Sequence, residues 1–241
     1  MRLYIKDLWF NIAQRRLRKF PVAILMYHSV GENSHFFTVP TKDFRKQMMY
    51  LKESGYHVVS LTEVVTKLKE GSRIEQKTVV LTFDDGYEDN FTNAFPILKE
   101  FHFPATIFVS TDFIGTERLV RGVNMKHLSE AQIKETQASG LIDIQPHGCS
   151  HRKLAGLSLE EIEHEMAASR SLLEGLLVSP KKYFAYPYGA LNGSVEAVAR
   201  KYFAAVVGVH RGYVSHQSNL MDLERQSIDS RTTFARFKLK I

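Results

Sequence analysis

The sequence predicts an α/β fold assembled from parallel βαβ units, and three observations carry that expectation. Seven short apolar, β-branched runs recur along the 241 residues, segments of helical periodicity lie between them, and glycines close several of those segments. Runs so poor in polar residues are typical of strands buried on both faces. Periodicity alone leaves open whether the strands form a doubly wound sheet or close into a barrel. In either case, chemistry is expected at the C-terminal ends of the strands.

In chain order the first run is VAILMY (22–27), followed by a helical pattern over 43–54 that ends at Gly55. YHVVSL (56–61) leads into a helix over 61–70 closed by Gly71, and TVVLTF (78–83) and ATIFVS (105–110) follow. A helix over 129–139, closed by Gly140, precedes LIDIQ (141–145). Residues 158–177 begin with Ser158 and Glu161 at capping-box spacing and place apolar residues at 159, 162, 166, 173 and 176, one face of a helix. KYFAY (182–186) and AAVVGV (204–209) complete the series.

Composition narrows the function classes. With 44% hydrophobic residues and no low-complexity linker or repeat, the chain reads as one large domain over 21–241 preceded by a distinct segment, 1–20. Part of the net charge of +6 sits in that segment, where RRLRK adjoins Leu3, Tyr4, Ile5, Leu8, Trp9 and Phe10. This is the pattern of a basic amphipathic helix, suited to peripheral contact with an anionic membrane or to packing on its own domain. No nucleic-acid recognition motif accompanies the charge. A single cysteine, Cys149, excludes an intrachain disulfide framework. Charges scattered through residues 1–20 make a poor signal peptide, so the expected location is the cytoplasm, at the inner membrane face.

Titratable residues gather where the apolar runs end. Tyr27-His28 follows the first, Asp84-Asp85 the third, His147 to His151 the fifth, and Pro187-Tyr188-Gly189 the sixth. Asp-Gly is ordinary turn chemistry, but it accounts for one aspartate better than for two. Adjacent carboxylates repel unless a cation or donor keeps one of them ionised. Two histidines and one carboxylate with an open position make a recurrent catalytic Zn²⁺ or Fe²⁺ arrangement. One aspartate would then bind the metal, and the other would take a proton from metal-bound water. His28, on the same rim, is a candidate general acid. Tyr27, Pro187 and Tyr188 are candidate substrate contacts, since aromatic rings beside a site stack on sugar faces.

These residues, together with TFDDGY, HGCSH-RKL, FAYPYG and ILMYHSV, resemble the polysaccharide deacetylase family (NodB-homology, or family-four carbohydrate esterases) over about residues 22 to 240. The resemblance implies a distorted (β/α) barrel of about seven parallel strands and a metal-dependent enzyme that removes N-acetyl groups from amino sugars of a glycan or glycolipid. It implies Asp84 as general base, Asp85, His147 and His151 as ligands of one divalent ion (Zn²⁺, with Fe²⁺, Co²⁺ or Ni²⁺ as alternatives), and an oxyanion donor at the Tyr188 backbone. N-formyl sugars, cyclic imides and non-catalytic glycan binding are the competing readings. Two departures stand out. Ala185 occupies the place of the arginine that restrains the base in many members, and the late Leu-x-His motif has only a loose substitute at His210. The MYH stretch resembles instead the branch that deacetylates poly-N-acetylglucosamine, which favours His28 as the acid.

Overall fold

The protein's computed structural model describes residues 22–241; the segment 1–20 and the membrane contact expected of it lie outside the described residues. Among the described residues the main sheet has eight parallel strands: β1 (Ala23–Tyr27), β2 (His57–Val59), β3 (Thr78–Phe83), β4 (Ala105–Val109), β5 (Ile142–Pro146), β6 (Tyr183–Ala185), β7 (Ala205–Arg211) and β8 (Leu223–Ser227). Seven of them run β6-β7-β8-β1-β3-β4-β5 around a nearly closed barrel, while short β2 pairs beside the first half of β3. The barrel architecture is the one the family resemblance implied. Periodicity located β1 to β7 to within a few residues but not β8, whose LERQS sequence is mostly polar.

The α-helices among the described residues are α1 (Thr41–Glu53), α2 (Leu61–Glu70), α3 (Phe95–Phe101), α4 (Glu130–Ala138), α5 (Leu159–Leu177), α6 (Gly193–Tyr202) and α7 (Phe234–Lys240). Their ends follow the sequence signals. Ser158 and Glu161 form the expected capping box on α5, and Ser129 with Gln132 forms another on α4. Gly71 ends α2 in the left-handed conformation, φ 65°.

Strand alternation divides the core in two. Ile24, Val80, Phe108, Tyr183, Ala185, Val207 and Leu223 share a cluster with Leu61, Val64 and Val65 of α2. Leu25, Tyr27, Val79, Leu81 and Phe83 instead pack outward with Phe44 and Met48 of α1. Ser60 and Thr62 meet Ala105, Ile142 and Tyr183 in a cleft at the N-terminal ends of the strands, so α2 covers that end and leaves the other for chemistry.

The alternation also corrects one expectation. Tyr27 lies on the outward face with Leu25 and is fully buried; its ring is 5.3 Å from those of both Phe44 and Phe83, and its hydroxyl donates to Gln47 Oε1 at 2.7 Å. Tyr27 is therefore a core residue and not a substrate contact.

The two ends of the strand order, β5 and β6, are joined by side chains rather than by a ladder. Gln145 Oε1 accepts from the backbone N–H groups of Lys182 and Tyr183, each at 3.0 Å, and the Lys181 ammonium donates to Ile144 O at 2.9 Å. Asp143 holds the Gln145 amide from behind through contacts of 3.0 and 2.9 Å.

Candidate active site and metal centre

β1 and β3 pair in register from Ala23↔Val79 to Tyr27↔Phe83, which brings His28 and Asp84 to the same level just beyond the strands. The chain then turns sharply. Asp85 and Gly86 both adopt left-handed backbone, with φ of 72° and 70°. Aspartate tolerates that region, whereas a Cβ at residue 86 would come within 3.0 Å of Val109 Cγ2. The turn gives the two neighbouring carboxylates different partners.

Asp84 is paired with Arg225 of β8. The guanidinium nitrogens Nη1 and Nη2 donate to Oδ1 and Oδ2 at 2.8 and 2.7 Å, and Nε donates to Gly208 O at 2.7 Å. Nη1 also reaches Thr82 Oγ1 at 3.1 Å. Both side chains are almost completely buried, and the fork geometry suits a carboxylate. Burial alone would raise the Asp84 carboxyl, but the Arg225 guanidinium outweighs it and holds the group below its ordinary range. Arg225 thus supplies, from a strand on the other side of β1, the restraint missing at Ala185. A buried arginine in a polar segment was the available signal, but only β8's place in the barrel shows which aspartate it serves.

Asp85 faces two imidazoles. His151 Nε2 is 3.1 Å and His147 Nε2 3.4 Å from Asp85 Oδ1, and one ligand atom from each of the three residues lies within 4.8 Å of the others. His147 Nδ1 is 2.7 Å from Ala185 O, a contact that fixes the ring with Nε2 toward the aspartate. The loop carrying the histidines is clamped by Glu165 of α5. That buried carboxylate accepts from Cys149 N at 2.7 Å, Ser150 N at 3.0 Å and the Ser150 hydroxyl. The Cys149 thiol turns toward the α5 backbone, 3.7 Å from Glu165 O, so it is not a further ligand.

The residues fit a divalent metal ion. Asp85 Oδ1 is a buried acceptor facing the Nε2 atoms of His147 and His151, and two nitrogens and one oxygen converge as a tetrahedral or facial site requires.

His28 is held beside them. Asn90 Nδ2 donates to His28 O at 2.7 Å, Asn93 Nδ2 to Val30 O at 2.7 Å, and Ser29 Oγ to Asp89 Oδ2 at 2.5 Å. The His28 ring stacks on Phe37 with centroids 4.3 Å apart, and its Nδ1 is buried without a partner. Burial lowers its pKa, opposed by the fields of Asp85 and Asp84. His210 plays no part here: it is exposed, with Nδ1 2.9 Å from Asp222 Oδ2.

Pro187 and Tyr188 form the turn after β6. Pro187 is buried, whereas Tyr188 is largely exposed, has φ 59° and places its ring 4.6 Å from that of His151. A cavity of about 340 Å³ opens over Asp85 and His151, with Tyr188, Phe37 and Tyr87 among its walls. Its roof is the antiparallel hairpin Glu117–Val120 and Val123–Lys126, fastened to the aspartate turn by Leu128 N to Gly86 O at 2.9 Å and Glu88 N to Lys126 O at 2.8 Å.

Comparisons with known proteins agree with this geometry. The family model for polysaccharide deacetylase matches residues 71–207. Bacillus subtilis YxkH, named provisionally as a polysaccharide deacetylase, is 34% identical over 74% of this chain and 60% of its own length. The poly-beta-1,6-N-acetyl-D-glucosamine N-deacetylase of Staphylococcus epidermidis is 29% identical over 65% of this chain and 55% of its own. The chain therefore spans somewhat more than half of these relatives. Among solved structures, the Streptococcus pyogenes deacetylase PplD in complex with acetate superposes with a TM-score of 0.80 at 28% identity, covering 91% of this chain and 97% of that one. With more than half the chain matched and the motif residues converging at one end of the barrel, this protein belongs to the polysaccharide deacetylase family.

Proposed function

We propose that the protein is a Zn²⁺-dependent N-deacetylase acting on N-acetylated amino sugars of a glycan. The observation that carries this reading is the division of labour at the aspartate turn, where Asp85 joins His147 and His151 while Asp84 stays outside that set as an ionised base. A glycan-binding relative has no use for such a base beside a metal site.

Bound at Asp85, His147 and His151, the ion supplies Lewis-acid polarisation of the acyl carbonyl and acidification of water. Asp84 accepts the proton of the attacking water; Arg225 keeps its carboxylate ionised and oriented. The left-handed turn at Tyr188 presents its backbone N–H as a donor to the oxyanion. His28 delivers a proton to the departing amine, and Phe37 fixes the plane of the ring. Tyr188 and Tyr87 offer aromatic faces to the sugar.

The test is release of acetate from N-acetylglucosamine oligomers by zinc-loaded protein, run beside N-formyl analogues. Acetate release that Asp84→Asn lowers by about 10³-fold or more, with metal still bound, supports the assignment. An Asp84→Asn protein with full turnover overturns it.

A further inference from the structure

The walls of the cavity carry more positive charge than hydrolysis of a neutral acetamide requires. Asp85 is the only carboxylate among them, and a divalent ion would more than neutralise it. Arg118 and Arg121 of the hairpin also line the cavity. Arg118 stacks its guanidinium 3.6 Å from the Phe113 ring centroid, and among the described residues neither arginine is paired with a carboxylate. At the rim, Lys153 lies 5.4 Å from the Tyr188 ring centroid, also without an acidic partner.

The buried part of the wall points the same way. His35 and His127 are each 5% exposed and line the cavity. Both ring nitrogens of His35 and Nδ1 of His127 lack hydrogen-bond partners, an arrangement that costs stability unless a ligand completes it. Burial lowers the pKa of both rings against the opposing field of Asp85, and Arg121 beside His35 and Arg118 beside His127 act in the same direction as burial. The two imidazoles are therefore polar contacts, and the two arginines remain as the charges not answered by any group in the cavity.

Building on the deacetylase reading, we infer that the amino sugar accepted here carries, or adjoins, an anionic group, a phosphate or a carboxylate, engaged by Arg118 and Arg121 while His35 and His127 bind sugar hydroxyls. A planar guanidinium fork recognises either anion. The same charges disfavour a chain already rich in free amines.

The test compares three N-acetylglucosamine oligosaccharides of equal length: one neutral, one bearing a phosphate monoester, and one with a uronic acid neighbour. Acetate release is followed at low and high salt with wild-type protein and with the double variant Arg118→Gln/Arg121→Gln. At low salt, at least one charged oligomer should exceed the neutral one in kcat/KM by about tenfold, consistent with two partly exposed charge contacts. That ratio should shrink at high salt and fall toward one in the double variant. The preferred charged arm identifies the anion. Preference for the neutral oligomer, or a ratio that the double variant leaves intact, overturns the inference. Should no oligomer release acetate, the deacetylase reading fails. Calorimetric binding of the same oligomers to Asp84→Asn then decides the anion question alone: tighter binding of a charged oligomer, lost when both arginines are replaced, sustains it, and equal binding sinks it.

Discussion

Replacing Arg225 by glutamine should reverse the way stability depends on pH. In the wild type, Asp84 is held below its ordinary range by two charge-assisted hydrogen bonds of 2.8 and 2.7 Å in a site with almost no solvent access. A group with a depressed folded-state pKa contributes stability above its unfolded value and loses it as pH falls through the folded one. Without the guanidinium, the desolvation that opposes ionisation goes unanswered. Breaking such a pair costs about 3–5 kcal/mol, and the unpaired carboxyl moves upward, above its ordinary range. The sign of the linkage then changes: stability is fully present below about pH 4 and declines as pH rises through the new value. Urea denaturation at intervals between pH 4 and 8 reads this directly. Adding Asp84→Asn to Arg225→Gln should restore part of the loss, because the unpaired charge is gone. A single variant with the wild-type slope, or a double variant no more stable than the sum of its parts, would refute the buried-pair reasoning.

Other outcomes follow from the same geometry. Wild type and Asp84→Asn should each take up about one Zn²⁺ by elemental analysis, whereas His147→Ala should take up none tightly; equal uptake by all three would remove the metal assignment. Glu165→Gln should weaken zinc affinity by about 10–100-fold in a competition titration, since it loosens the loop between the two histidines, and unchanged affinity would make Glu165 a fold residue only. Burial pushes the Asp89 carboxyl up to about 6, so it contributes stability below about pH 4 that is lost as pH rises through 6, by at most about 3 kcal/mol; Asp89→Asn should flatten that fall in a denaturation series. Tyr27→Phe should lose about 1–2 kcal/mol of stability by stranding Gln47 and leave KM unchanged, whereas a raised KM would return Tyr27 to the substrate site.

The parts of the molecule legible in its sequence were those governed by burial of apolar groups and by local backbone chemistry. TVVLTF and ATIFVS are short and β-branched enough to read as buried strands, and Ser158 with Glu161 marks the start of a helix wherever the helix packs. The convergence of Asp85, His147 and His151 was legible because all three follow apolar runs, at strand ends that meet on one rim. What the sequence concealed is long-range and polar. Leu223–Ser227 reads as a surface segment, because a barrel interior that holds a buried aspartate calls for arginine and glutamine where apolar residues are expected. The arginine that answers Asp84 is 141 positions away from it, farther than any spacing rule reaches. Tyr27 was misassigned for the opposite reason. Its position beside His28 in the chain outweighed the period-two pattern that groups it with Leu25. The hairpin arginines and the paired cavity histidines belong to no motif and emerge only from the folded walls.

The missing ladder between β5 and β6 gives the barrel a line along which it can open. Elsewhere, separating two strands breaks a row of main-chain bonds at once; here, among the described residues, the hydrogen bonds that span the seam are those of Gln145, Lys181 and His147. His147 spans that line, with its Nδ1 beside Ala185 O and its Nε2 beside Asp85 at the end of β3. Asp85, His147 and His151 would hold an ion across this gap, which would tie the mechanical closure of the barrel to the loading of the site. Chelation should speed amide exchange at Lys182 and Tyr183 while leaving the β1–β3 amides protected, so that the state of the metal can be read at the far end of β6.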